Sequence, residues 1–131
     1  MLMRLLAAVS LVIAPPAWAA GTGVRIGNED FAAADILDAR AMPQLGNGAA
    51  LMITFSENAA RRLSALTAKA TGKPIPVAVE GRVVSTTVLP EPIVNGVFQI
   101  SEQNWTIATA TTLARQISGR DPLPESLDDQ P

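Results

Sequence analysis

The sequence predicts an α+β domain, a two-layer sandwich with a small, mainly antiparallel sheet of three or four strands and two main helices on one face. Two observations carry this prediction. Residues 49–118 contain short segments in which apolar and polar residues alternate, and two segments with apolar residues at helical spacing interrupt them. Half-apolar strands and amphipathic helices bury their apolar sides by packing against each other in two layers.

The strand segments share an alternating pattern bounded by turn residues. Residues 49–55 alternate, and Ser56 then begins a helix. Residues 75–79 and 82–89 are predicted to form a hairpin around Glu80 and Gly81. Residues 97–100 are long enough for a short fourth strand after the turn at Asn95 and Gly96.

Each helix segment has a start signal, an apolar stripe and a stop signal. Ser56 and Thr106 are the predicted N-caps, and Gly72 and Gly119 are placed where helices commonly end. The first stripe is Ala59, Leu63, Leu66 and Ala70, and the second is Ile107, Ala110, Leu113, Ala114 and Ile117.

The segments outside this region give weaker patterns. Residues 20–29 are small and polar, and we expect a loose lead-in with room for one short strand. The alanine-rich residues 30–42 favour a helix, with Asp35 able to cap a short turn. We place the domain at 30–118 and expect the acidic, proline-bearing residues 119–131 to be a disordered tail.

Residues 1–19 have the pattern of a secretory signal peptide. Arg4 precedes an apolar segment, and Ala17 and Ala19 give the small-x-small form that signal peptidase accepts, so that the exported chain would begin at Ala20. The apolar segment is shorter than the roughly 20 residues of a spanning helix. We therefore expect cleavage, a periplasmic location and no membrane span after cleavage, with a retained anchor as the alternative.

The composition argues against several classes of function. The chain has no Cys, no His and no Tyr, so it lacks the commonest general base, the commonest zinc ligand and every thiol nucleophile. The formal net charge is −2, and no basic cluster is present to bind nucleic acid. The spacing of the carboxylates indicates no metal site, and we expect no cofactor.

A family resemblance rests on residues spread over residues 55–114. An aromatic residue precedes the first helix, glycines mark the turns, and an aromatic–threonine pair precedes the last helix. The matching positions are Phe55, Thr67, Gly72, Lys73, Val77, Val79, Gly81, Val84, Ser85, Ile93, Gly96, Ile100, Ser101, Trp105, Thr106, Ala110, Leu113 and Ala114. In this order they resemble the head of the first periplasmic region of SecD, the accessory subunit of the protein-export translocon. Asp35, Ile36 and Ala39 are similar to a helix of the same family.

The resemblance implies a periplasmic, non-catalytic module associated with exported polypeptides or with components of the Sec translocon. In the family the head is mounted on a base subdomain and on membrane helices, so a free head would bind without being driven by the proton gradient. Glu80, Thr87 and Glu102 depart from the family pattern. The loop around Glu102 is therefore expected to differ in shape.

Candidate partner contacts lie near the last hairpin turn and the last strand. Contacts are expected through strand addition along residues 97–100 or through apolar side chains. These candidates are Leu89, Ile93, Val97, Phe98, Ile100 and Trp105. The alternative for each side chain is an ordinary place in the core.

Two other functions remain open at this point. The fold could serve as an envelope scaffold or a subunit of a complex unrelated to export. A hydrolase would need a carboxylate pair drawn from Glu57, Glu80 and Glu91, or a serine–lysine pair of Ser85 and Lys73. Each of these residues also has an ordinary place in a turn, a helix start or a strand, and we expect no enzyme.

Overall fold

The computed structural model describes residues 21–46 and 48–124. Within them, seven strands and two helices follow one another in chain order. The strands are β1 (Val24–Ile26), β2 (Glu29–Phe31), β3 (Ile36–Pro43), β4 (Ala49–Phe55), β5 (Pro74–Val79), β6 (Arg82–Val88) and β7 (Val97–Glu102). The helices are α1 (Glu57–Lys69) and α2 (Ile107–Ser118), and a single 3-10 turn lies at Ala33–Asp35.

The strands form two antiparallel sheets. One has the order β2-β1-β5-β6 and the other the order β3-β4-β7. The predicted α+β class is confirmed. The strands are divided between two sheets instead of one because β4 pairs with β3 on one side and β7 on the other, which leaves the β5–β6 hairpin to pair with β1.

The predicted helix over residues 30–42 is wrong. Only one 3-10 turn forms there, in which the Asp35 carboxylate accepts a hydrogen bond from the Ala32 N–H at 3.0 Å, and residues 36–43 are strand β3. Ala39 lies opposite Ile53, and Ala41 lies opposite Leu51. Pairing with the long strand β4 outweighs the helix propensity of an alanine-rich segment, since that propensity is worth only tenths of a kcal/mol per residue.

The lead-in is part of the folded domain. Residues 24–31 form the β1–β2 hairpin, whose Val24, Ile26 and Phe31 are buried. The N–H of Gly23 donates to the Ile117 carbonyl at 3.0 Å and so ties the hairpin to the end of α2. A Cβ at Gly23 would lie 2.0 Å from the Phe31 carbonyl oxygen. Glycine is therefore required at this close approach.

The predicted start signals of both helices and the stop signal of α2 are confirmed, whereas α1 ends at Lys69 with Ala70 as its C-cap, two residues before the predicted Gly72. The Ser56 hydroxyl accepts from the Ala59 N–H, and the Thr106 hydroxyl accepts from the Thr109 N–H. Gly119 has the left-handed conformation, with φ of 72°, and donates to the Arg115 carbonyl. These contacts satisfy backbone groups that have no partner inside the helices.

One hydrophobic core joins the two sheets. Phe31 of β2 meets Phe55 of β4 edge to face, with ring centroids 5.0 Å apart. Apolar residues of both sheets and both helices belong to the same buried cluster. Its fully buried members include Ile26, Ile36, Leu51, Ile53, Leu63, Val77, Phe98 and Ile117.

The length and composition of a helix determine whether it can span a membrane. Among residues 21–46 and 48–124, neither helix is long and apolar enough to cross a membrane.

Arg62 ties helix α1 to the β1–β2 hairpin. Its guanidinium donates to the Glu29 carboxylate at 2.9 Å, to the Asp35 carboxylate at 3.3 Å and to the Asp30 carbonyl at 2.7 Å, and it lies 4.7 Å from the centre of the Phe31 ring. The hydrogen bond that Arg62 donates to the Glu29 carboxylate, supported by the one to Asp35, raises the pKa of Arg62 above its ordinary value. Because the folded-state pKa is raised, this contribution to stability is present at neutral pH and is lost in strong alkali, as the pH rises through the folded-state pKa of the arginine.

Replacement of Arg62 by alanine should lower the free energy of unfolding by about 1 to 2 kcal/mol, since a half-exposed ion pair network and a cation–π contact are lost together. The matched control is Arg61→Ala on the same helix, whose ion pair with Glu57 is largely exposed. That change should cost less than about 0.5 kcal/mol. Urea unfolding followed by the fluorescence of the buried Trp105 measures both. Equal losses for the two variants would contradict the role given to Arg62.

Candidate functional site

The loop between β6 and β7, residues 89–96, lies along helix α1 and is held by backbone hydrogen bonds. The Leu89 carbonyl accepts from the Gly72 N–H at 2.9 Å, and the Gly96 carbonyl accepts from the Phe55 N–H at 2.9 Å. Between them, the Ile93 N–H donates to the Thr67 hydroxyl at 2.9 Å. The loop is therefore anchored at both ends and in the middle.

Thr67 supplies the central anchor because its hydroxyl is buried and used twice. It donates to the Leu63 carbonyl at 2.8 Å within α1 and accepts from the loop. Thr67 is fully buried. The helix thus presents one polar atom to the loop at a fixed position.

The anchored loop displays apolar side chains. Val94 is 85% exposed and Val88, at the end of β6, is 56% exposed. Leu89 and Ile93 are half-buried and pack against the core, and Val97 at the start of β7 is half-buried. These five residues, Val88, Leu89, Ile93, Val94 and Val97, are called the loop surface below. Apolar groups exposed on an ordered loop are typical of contact sites.

The structure divides the six candidate contact residues into two groups. Leu89, Ile93 and Val97 reach the loop surface. Phe98, Ile100 and Trp105 are core residues, with exposures of 0%, 3% and 7%. Phe98 and Ile100 are buried because they lie opposite Ile53 and Leu51 on the inner face of β4. A partner could reach these three side chains only if the core opened.

Strand β7 is an edge of its sheet. It pairs with β4 on one side, and no strand of the described residues pairs with its other side. The Ser85 hydroxyl of β6 donates to the Glu102 carboxylate of β7 at 2.9 Å and links the two sheets at one point. The rest of this edge offers backbone groups for strand addition.

The outer faces of the two sheets are only partly polar. Met52, Thr54 and Ala78 are half-buried, and Val83 on β6 is 63% exposed. A bulge between the pairs Val77–Ser85 and Ala78–Val83 turns Val83 outward and leaves Val84 packed against the core. The alternation of apolar and polar residues in the sequence does not show which of these two valines points toward the core.

The polar residues considered for hydrolysis have other partners. Ser85 donates to Glu102 rather than to Lys73, and Glu57 pairs with Arg61 at 3.0 Å in the first turn of α1. Glu80 lies in the β5–β6 turn with φ of 52°, and Glu91 lies in the loop after β6. Within the described ranges, no group of three carboxylates is placed to hold a metal ion.

Asp38 and Arg40 form a polar pair that no local sequence pattern indicates. Both lie on the outer face of β3, and the Arg40 guanidinium donates to the Asp38 carboxylate at 2.7 Å. Among the described residues, Asp38 is the only ionisable residue that is buried, with 8% of its surface exposed. Residues two apart on one strand share a face, so this pair could have been found only by reading residues 36–43 as a strand.

Other expectations fall outside the described residues. The predicted cleavage residues Ala17, Ala19 and Ala20 are among residues 1–20, and most of the predicted tail is residues 125–131. Residues 119–124 of that tail are described, and they make hydrogen bonds to β3 and α2.

Thr67→Val should free the loop, because the valine keeps the shape of the side chain and removes the acceptor for the Ile93 N–H. An unpaired N–H costs about 1 to 3 kcal/mol of unfolding free energy. Amides of residues 89–96 should also exchange faster with deuterium. Thr71→Val is the matched control, since the Thr71 hydroxyl donates only to carbonyls of its own helix segment. If loop exchange is unchanged by Thr67→Val, Thr67 does not anchor the loop.

Solved structures with this fold include SecDF. One is a SecDF described as a membrane component that enhances protein export, and it is 28% identical with a TM-score of 0.58 over 70% of this chain. SecDF in its super-membrane-facing form gives the same identity and TM-score over the same share of this chain. This chain spans 41% of the first SecDF chain and 12% of the second.

The sequence was also compared with curated proteins and with family models, and the family comparison likewise indicates a relationship to SecDF. No curated protein sequence matches the chain. The family model of the P1 head subdomain of SecDF matches residues 21–120, a range that begins at the β1–β2 hairpin and ends just after α2. Both sheets and both helices therefore fall inside the match. The chain belongs to the SecDF P1 head subdomain family.

Proposed function

We propose that the protein is an exported, non-catalytic periplasmic domain that binds exported or unfolded polypeptides, or components of the Sec translocon. The match of residues 21–120 to the SecDF P1 head subdomain carries this proposal. The leader pattern with Ala17 and Ala19 supports export, with Ala20 as the first residue of the mature chain.

The loop surface fits an unfolded polypeptide chemically. Unfolded chains expose apolar side chains and backbone groups that have no fixed partner. Val88 and Val94 offer exposed apolar area, and the adjoining edge of β7 offers backbone groups for strand addition. An apolar contact of this kind is tolerant of sequence, which suits a domain that meets many polypeptides.

Binding is the full extent of the proposed activity. The chain spans less than half of the length of the SecDF chains it resembles, and polypeptide binding is the activity proposed for it. The carboxylates and Ser85 keep structural roles in this proposal.

A photo-crosslinking residue at Val94 tests the proposal in living cells. Val94 is used because it is the most exposed member of the loop surface. We expect crosslinks to exported polypeptides or to a translocon subunit, and we expect their yield to fall at least fivefold when Val88 is also replaced by aspartate.

The matched control places the same residue at Leu45, which is also fully exposed. Leu45 precedes β4, and the register of β4 with β7 puts it at the opposite end of that sheet from Val97. Equal crosslinking at both positions would indicate random contact. Crosslinks from Val94 to envelope proteins unconnected with export would overturn the proposal and favour a scaffold.

A further inference from the structure

The free edge of β3 is covered by the chain itself. Strand β3 pairs with β4 on one side, and residues 121–124 contact β3 through the side chains of Asp38 and Arg40 and contact helix α2 through Arg115. These four residues are called the C-terminal segment below. They follow residue 120, where the match to the SecDF head family ends. The C-terminal segment therefore lies just outside the range that matches the family.

The contact with β3 is made through the backbone of a single residue. The Leu123 N–H donates to the Asp38 carboxylate at 2.8 Å, and the Leu123 carbonyl accepts from the Arg40 guanidinium at 2.6 Å. The Leu123 side chain is 56% exposed. Asp38 and Arg40 thus bind the N–H and C=O of one extended residue and are indifferent to its side chain.

Two further contacts place the segment. The Arg115 guanidinium of α2 donates to the Asp121 carboxylate at 2.6 Å, and the Arg120 guanidinium donates to the Ile36 carbonyl at the edge of β3. Beside the segment lies a cleft of about 360 Å³, with Ala41, Ile107, Thr111 and Ala114 on its walls. Ile107 is 47% exposed here although it begins the apolar stripe of α2. The wall therefore has room and apolar surface for side chains larger than those of the segment.

The chemistry of Asp38 shows that the site needs an occupant. Its side chain is 9% exposed, and its two oxygens are divided between Arg40 and the Leu123 N–H. Without a backbone donor at this position, one oxygen of a buried carboxylate would lose its hydrogen bond, which is costly. Another extended polypeptide can supply the same N–H and C=O.

We propose that the cleft between the β3 edge and α2 is a second polypeptide-binding site, which the C-terminal segment occupies in the free protein and an extended polypeptide occupies after displacing it. Asp38 and Arg40 bind the backbone of one residue, and the wall formed by Ile107, Thr111 and Ala114 accepts a neighbouring apolar side chain. This inference rests on the proposed function for the source of the ligand, an exported polypeptide, while the site itself is separate from the loop surface.

The test uses the full mature chain and a fluorescein-labelled peptide with the sequence of residues 119–126, GRDPLPES. Leu123→Pro removes the N–H that Asp38 binds and leaves the cleft intact, and Leu123→Ala removes the side chain and keeps the N–H. We expect fluorescence anisotropy to show at least tenfold tighter peptide binding by Leu123→Pro than by the unchanged chain. Leu123→Ala should bind as the unchanged chain does.

A second change locates the peptide. Asp38→Ala combined with Leu123→Pro should lose at least tenfold in affinity relative to Leu123→Pro alone. If the combined variant does not fold, as judged by circular dichroism, deuterium exchange of the Leu123→Pro chain decides instead. Added peptide should then slow exchange at residues 36–43. Equal affinity of the proline and alanine variants, or exchange at residues 36–43 that the peptide leaves unchanged, would overturn the inference.

The same measurement separates the two proposals. A reduced, unfolded exported polypeptide is added as competitor to the complex of peptide and Leu123→Pro chain. Competition supports this inference and the proposed function together. If the peptide binds but the unfolded polypeptide does not compete, the ligand assigned to this site is wrong. The proposed function of the loop surface is then tested separately by the crosslinks from Val94.

Discussion

Strand β4 is the constraint on which the rest of the structure depends. It is paired along both sides, with β3 and with β7, and its inner face carries Leu51, Ile53 and Phe55 into the core. Phe55 then meets Phe31 of the other sheet. Because one strand supplies both the pairing of its own sheet and the aromatic contact with the second, the two sheets enclose a single core.

The position of β4 also sets where the domain can contact partners. A strand with neighbours on both sides has no edge of its own, so the free edges of its sheet fall on β3 and β7. The β7 edge adjoins the loop surface, and the β3 edge is covered by residues 121–124 through Asp38 and Arg40. Exposed edges pair readily with other chains. The two edges of this sheet have different surroundings. One adjoins apolar side chains on an anchored loop, while the other carries a peptide-like segment of the chain itself.

Parts of the fold with local signals could be predicted from the sequence. The caps Ser56, Thr106 and Gly119 lie within a few residues of the groups they serve, and β5 and β6 alternate on either side of a glycine turn. Strand β3 could not be predicted in this way. Its alanines favour a helix in isolation, and only pairing with β4 makes residues 36–43 extended. For a related reason the sequence indicates room for only one short strand where the β1–β2 hairpin forms, since three-residue strands are held by distant partners.

The candidate site was predictable to a similar degree. Apolar side chains near a turn give no indication of which ones face outward, so Leu89, Ile93 and Val97 could not be told apart from Phe98, Ile100 and Trp105. Register with β4 decides this, because it turns Phe98 and Ile100 inward. The pairing of Asp38 and Arg40 with Leu123 joins residues 83 to 85 positions apart in the chain. Such a contact has no local sequence pattern.

Native-state hydrogen exchange of a chain that begins at Ala20 tests the single core most directly. We expect the slowest amides of β1 and β5 in one sheet, and of β4 and β7 in the other, to exchange with the same free energy of opening, because the sheets share one core and unfold together. Opening free energies that differ by several kcal/mol between the sheets would show two separate cores and contradict this account.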